Sequence, residues 1–563
     1  MRCFAIALAP LVWAALADSA RADEFFVAPD GNDAAAGSEQ APFATVERGQ
    51  QAAAAGDTVW IRGGTYKFSG TSKAVGVAFT KSGTKDKPIK YFAYKDEVPI
   101  FDLFELKPQQ RVTGLDVRAN AIHLRGLEVR GVRQLIVGDS WGVRIRGNDN
   151  IIERLHVHDN EAPGVFITSG ASNLVLNCDS HNNYDPLEDG GNGDGFGCHS
   201  DGGNNVLRGC RAWANSDDGF DFINAPGTCT VEYSWSWKNG FVPDTNMAAG
   251  NGAGFKSGGF GSPPKIPASG VPRHVIRFNL AFRNRAQGFY ANHHPSGLDF
   301  FNNTALGNAV NFDMLVEGGT STHKLHNNLA VQPGGAVRNW SGGEDTDNSW
   351  NLPVMVSDAD FLSVDEKEAL APRAADGSLP AIELMHLADG SDLVDRGKDV
   401  GLPFVGMGPD LGAFERGAET PTTDAGVPTA DAGTPTADAG MPAVDAGAAQ
   451  RPAGAGGAGA GAAGVVGQAG RASPGSAGMS APAQPATSGA AGASGTGQAT
   501  QGVASGAQPS QPEPAASGCG CRVAGQRPAT PALYALLLAA AMRLGARVRK
   551  RRLASATRTR AVS

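Results

Sequence analysis

The sequence predicts an all-β fold, a right-handed parallel β-helix with an asparagine ladder and a short N-terminal capping helix. Three observations predict it. The first is a short alternating apolar segment that runs repeatedly into an asparagine. RLHVHDN ends at Asn160, NCDSHNN at Asn183, CRAWAN at Asn215, SWSWKN at Asn239, NLAFRN at Asn284 and NTALGN at Asn308. The second is the spacing, 23, 32, 24, 45 and 24 residues, with the two long steps holding insertions at 184–201 and 246–272. The third is that the intervening residues are rich in glycine and carry no helical periodicity. A unit of about 24 residues built of short strands and tight turns is one coil of a parallel solenoid. Equivalent strands then stack about 4.8 Å apart, and equivalent asparagines bond each other and the turn backbone through their amides. No LxxLxLxxN pattern recurs, which sets aside a leucine-rich repeat.

The elements follow in order. Residues 1–22, MRCFAIALAPLVWAALADSARA, combine an early Arg, an apolar run and an Ala20-Arg21-Ala22 ending, the form of a secretory signal peptide cut before Asp23. The parallel β-helix domain is expected over 23–417. EFFVAP reads as an extended strand, 45–55 as a helix-compatible run, and GDTVWIRGGTY as the first coil strand. The helix has a physical purpose, because an uncovered solenoid end is a template for strand pairing. From 418 to 517 the chain is almost entirely Ala, Gly, Pro, Ser, Thr, Gln and Asp, with a TADAGTPTADAG repeat. Such a segment has too little apolar area to offset the entropy of ordering and reads as a disordered spacer. Residues 518–563 bring SGCGC, an apolar run at 532–542 and RLGARVRKRR. That run is shorter than the ~20 residues of a membrane span.

The formal net charge of −8 excludes the basic surface that a nucleic-acid binder needs. Of seven cysteines, Cys3 lies in the leader and Cys519 and Cys521 in the tail. Cys178, Cys198, Cys210 and Cys229 remain, and export permits disulfides among them without fixing the pairing.

One stretch stands apart from the repeat. NSDDGFD places Asp217, Asp218 and Asp221 within five positions, and like charges this close destabilise a fold unless a cation lies between them. An earlier NGDGFG puts Asp194 23 residues before Asp217, close to one coil. A third version, GNGAGFKSGG, carries Lys256. Phe196, Phe220 and Phe255 would then stack as an aromatic column. Four carboxylates from adjacent coils make a hard oxygen site of the kind Ca²⁺ prefers. Read singly, the Asp-Asp-Gly is a solvated turn and Lys256 a surface lysine. Arg273, Arg277, Arg283 and Arg285 read equally as binders of sugar carboxylates or as turn residues. His293 and His294 read as loop residues, lacking the carboxylate partner of a zinc site.

Together, GNGDGF…ANSDDGFD…GNGAGFKSGG resembles the pectate lyases of polysaccharide lyase family nine, a likeness spanning about 24–416 and including APRAADGSLP and GPDLGAFE. The resemblance implies Asp194, Asp217, Asp218 and Asp221 as calcium ligands and Lys256 as the catalytic base. It implies β-elimination of α-1,4-linked polygalacturonate (pectin), with the C5 proton removed and a 4,5-unsaturated product. A lysine base must be neutral to act, so activity above neutral pH is expected. Two rivals remain: a lyase or epimerase on another polyuronate, alginate or rhamnogalacturonan, and a non-catalytic calcium-stabilised surface adhesin. The Cys pair, apolar run and Arg cluster resemble the C-terminal sorting tails of myxobacterial surface proteins. That likeness implies a secreted or cell-surface protein attached through its tail; separately, the chain is expected to be a monomer.

Overall fold

The computed structural model describes residues 22–317, 322–331 and 335–417. The spacer, the sorting tail and all but the last residue of the leader lie outside the described residues.

Strands follow one another in a fixed rotation. After Glu24–Val27 and Thr58–Ile61 in a first sheet, Gly64–Gly70 starts a second, Val75–Phe79 a third, and Ile89–Ala93 returns to the first. Repeating that cycle gives sheets of 12, 10 and 10 strands among the described residues. Neighbours pair in parallel in all three sheets. This is the parallel β-helix that the repeat predicts.

The corners explain the period. The residue before each ladder asparagine (Asp159, Asn182, Ala214, Lys238, Arg283 and Gly307) has φ between 52° and 59°. That left-handed conformation costs about 1–2 kcal/mol for a residue with a side chain, and the ladder that follows offsets it. Each of Asn160, Asn183, Asn215, Asn239 and Asn284 donates Nδ2–H to Oδ1 of the next ladder residue, at 3.0, 2.9, 3.0, 2.9 and 3.0 Å, ending on Asn308. All six are buried. A second ladder, Asn279–Asn303–Asn328–Asn348, occupies the corner between the first and second sheets. Earlier coils fill that corner with Cys178, Cys210 and Ser234, whose Sγ or Oγ atoms face neighbouring backbone groups. The mixture of residue types hides this ladder from the sequence.

Inside, the expected phenylalanine column extends to five rings. Phe196, Phe220, Phe255, Phe289 and Phe312 stack at 5.0, 4.7, 4.9 and 4.9 Å between centroids. Each step adds about 0.5–1.5 kcal/mol beyond the burial of the rings. The cap helix spans Val46–Ala52, with Thr45 accepting from the Arg48 N–H. Its Gln50 closes the end coil by bonding Ala78 O and the Thr80 and Lys81 N–H groups. Cys198 and Cys229 form a disulfide, while Cys178 and Cys210 are free and buried. Beyond the last coil the chain folds back over the outer face of the second sheet. There Phe361, Leu379, Leu384 and Leu387 pack with Trp235, Trp237 and Phe282.

Candidate active site

The third sheet carries the acidic cluster. Along it Phe196, Phe220, Phe255, Phe289 and Phe312 point inward, so by strand alternation the residues after them point outward. Those are Gly197, Asp221, Lys256, Tyr290 and Asp313, each in register with the next. Lys256 therefore stands one rung from Asp221. Asp217 and Asp218 occupy the corner between Asn215 and the strand Phe220–Asp221, and Asp194 sits at the same corner one coil earlier.

That corner is tight. A Cβ on Gly219 would meet Ser236 Oγ at 2.1 Å and Gly254 O at 2.7 Å, so only glycine fits between the aspartates. The Asp218 N–H donates to Asp194 Oδ1 at 3.0 Å, tying adjacent coils together. The second insertion returns to support the cluster. Ala253 N–H donates to Asp218 Oδ1 at 2.6 Å, and the Asn251 N–H donates to Asp217 Oδ1. Arg285 holds that loop through Gly250 O and Asn251 O, at 2.5 and 2.7 Å.

All five predicted residues are buried and adjoin one another. Carboxylate oxygens of Asp194, Asp218 and Asp221 lie within 4.8 Å of one another. Asp217 stands beside them, and after burial its charge is the main influence raising Asp194. Lys256 Nζ is 3.1 Å from Asp218 Oδ2 and 3.2 Å from Asp221 Oδ2. Burial and mutual repulsion push Asp194 and Asp217 well above the usual carboxylate range, and burial raises Asp218. Burial opposes the Lys256 ammonium, but Asp221, Asp218, Asp217 and Asp194 together hold its pKa well above the ordinary value.

Four buried carboxylates thus share one ammonium. Asp218 Oδ2 is buried and faces the Lys256 ammonium at 3.1 Å. An all-oxygen donor set of this kind fits a hard divalent cation. Asp194, Asp218 and Asp221 would hold it, with Asp217 alongside.

The four arginines divide. Arg273 pairs with Asp299, Arg277 with Glu232 and Arg283 with Glu366, away from the third sheet. Arg285 acts on the loop behind Asp217, a positioning role that sequence reasoning missed. His293 meets Glu317 at 3.2 Å. His294 is buried against Pro272 O at 3.0 Å, so both histidines belong to a loop. Tyr290, next to Lys256 in register, was also missed. Its signal was present, because QGFY repeats the Gly-Phe pair of DGFG, DGFD and AGFK.

Comparison with known proteins turns this geometry into a lineage. The Pel9A-like, right-handed β-helix region matches residues 25–328. The chain belongs to this family. Pectate lyase L of Dickeya chrysanthemi is 34% identical over 403 residues, covering 70% of this chain and 90% of that one. Pectate lyase PEL9 of Emericella nidulans is 33% identical over 408 residues, covering 68% and 96%. Among solved structures, a rhamnogalacturonan lyase superposes with a TM-score of 0.61 and 36% identity, over 65% of this chain and 97% of that one. Pectate lyase Pel9A gives a TM-score of 0.61 and 32% identity, over 70% and 96%. With its Pel9A-like relatives, the chain is a polysaccharide lyase, and the handedness of its helix is that of the family.

Proposed function

We propose that the chain is a calcium-dependent pectate lyase that cleaves α-1,4-linked polygalacturonate by β-elimination. The observation that carries the reading is the convergence of Lys256 with Asp194, Asp218 and Asp221 on one face of the third sheet. Lys256 acts as the neutral amine, which a cation held by the aspartates would favour by lowering its pKa. Its Nζ takes the C5 proton of a galacturonate, and the C5–H electrons form the C4–C5 double bond as the C4–O bond breaks. The departing oxygen takes a proton from water. Bound calcium would supply the positive charge that offsets the substrate carboxylate as negative charge grows at C5. The aspartates hold charge and position rather than move protons. Tyr290 borders Lys256 and supplies a wall to the same row.

The test is ultraviolet absorbance of the unsaturated product on polygalacturonate, with calcium and then with chelator. Absorbance that grows with calcium and stops on chelation supports the reading. No product on any polyuronate would sink it, and so would full turnover in chelator.

A second reading has an observation of its own. The 36% identity to a rhamnogalacturonan lyase exceeds the 34%, 33% and 32% to the pectate lyases above. The same assay on rhamnogalacturonan separates the two, since each predicts faster product on its own polymer. The Cys198–Cys229 disulfide supports an exported enzyme, in keeping with the leader over 1–22. Attachment through the tail and a monomeric state complete the proposal.

A further inference from the structure

A second cluster of metal-binding side chains lies on the outer face of the second sheet, separate from the aspartates on the third. His156 and His158 alternate on the strand His156–His158, with Val157 turned into the core. Glu128 is the register partner of His156 one coil below, and His181 is the partner of His158 one coil above. Three consecutive coils therefore present a Glu and three His to one patch.

The distances bring the donor atoms together. Ligand atoms of Glu128, His156 and His158 all lie within 4.8 Å of one another. His156 Nε2 and His181 Nε2 are 2.7 Å apart, and His158 Nε2 is 3.4 Å from Glu128 Oε1. His158 Nδ1 meets Asp159 Oδ2 at 3.0 Å, and the other ring nitrogen, Nε2, faces Glu128. That Nε2 is buried with no hydrogen-bond partner, and so is His181 Nδ1. The buried nitrogen and the Glu128 carboxylate thus face each other across 3.4 Å without a formed hydrogen bond. A carboxylate bonded to the far nitrogen of an imidazole is the outer partner that metal-ligating histidines have.

Neighbouring charges are accounted for. Arg130 Nη1 reaches the same Glu128 oxygen at 3.4 Å. Arg211 and Arg373 are both spent on Asp179, the register partner of His156.

We propose that Glu128, His156 and His158 form a site for a late first-row divalent cation, zinc being the commonest, with His181 bonded to His156 beside it. Imidazole nitrogens with one carboxylate suit such an ion, whereas calcium takes oxygen. The ion would staple two coils next to where the C-terminal cover is anchored, since Arg373 of the cover bonds Asp179. The site does not depend on which polymer the enzyme cleaves.

The experiment titrates Co²⁺ into the full chain, stripped of metal and then supplied with excess calcium. The expected result is one visible-absorbing, nitrogen-ligated cobalt per chain and a higher melting temperature. His156→Gln and His158→Gln, checked for folding by circular dichroism, abolish the band. Asp159→Asn, a positioning change, weakens binding about tenfold or more. Absence of a cobalt band in the wild-type chain overturns the proposal. A band that survives both histidine substitutions also overturns it.

Discussion

Replacing Lys256 with alanine separates the chemistry of the site from its stability. The ammonium is the one cation within 4 Å of Asp218 and Asp221 among the described side chains other than His199, and all the groups are buried. Removing one member of a buried ion pair costs about 3–5 kcal/mol, because the other charge is left uncompensated. For a folded domain near 400 residues that corresponds to roughly 5 °C of melting temperature. Calcium at a hundred times its dissociation constant would return about 2.7 kcal/mol to wild type and variant alike if both bind it equally. Losing the ammonium removes a competitor for Asp218 and Asp221, so calcium should stabilise Lys256→Ala more than wild type. Turnover should fall about 10²–10⁴-fold, the usual contribution of a general base. The assay is melting with chelator and with calcium, beside the initial rate of unsaturated product. An alanine variant within tenfold of wild-type turnover would refute the role of the base. One that melts with wild type in chelator would refute the ion-pair energetics.

The pH dependence has a definite sign. Asp194, Asp217 and Asp218 have raised folded values, so their contribution is intact below the unfolded carboxylate pKa near 4 and is lost as pH rises through the folded values. In chelator the melting temperature should therefore drop from pH 5 to pH 8. Asp185, near 6, and Glu415, near 7, add a calcium-independent part of the same sign. Calcium should flatten the rest, and a chelated protein that gains stability over that interval would count against the cluster. Asn239→Ala removes the acceptor for both the N–H and Nδ2–H of Asn215. Stranded buried donors cost about 1–3 kcal/mol each, so urea unfolding should show a loss of at least 2 kcal/mol, and a change under 0.5 would dismiss the ladder's energetic role. Gly219→Ala forces a methyl against Ser236 Oγ and Gly254 O. It should cost about 1–3 kcal/mol and weaken calcium affinity by calorimetry, whereas wild-type affinity would show that the corner yields.

The period of the solenoid was legible because one residue type recurs at one corner. Asn160 through Asn308 announced the coil, and the structure joins all six in one hydrogen-bonded line. The second corner escaped notice because Cys178, Cys210 and Ser234 do locally what Asn279 and its successors do later. The site was legible in part. Asp194 and Lys256 could be matched to Asp217–Asp221 through the repeated Gly-Phe pair, which marks equivalent rungs. Arg285 could not, since its partners lie on a loop that returns across a 45-residue step. The histidine cluster was equally hidden. His158 and His181 are 23 residues apart within the repeat and read as ordinary strand positions.

By itself the sequence determined the coil length, the ladder, the inward phenylalanines and the acidic residues beside Lys256. A one-dimensional solenoid makes this so, because each residue's neighbours sit one period away and the period can be counted. Tertiary structure alone decided which cysteines pair, which arginines are already spent on carboxylates, and where the C-terminal segment lies. Those contacts join residues at no fixed spacing, as Arg373 to Asp179 across 194 positions shows, and only the packed surface brings them together.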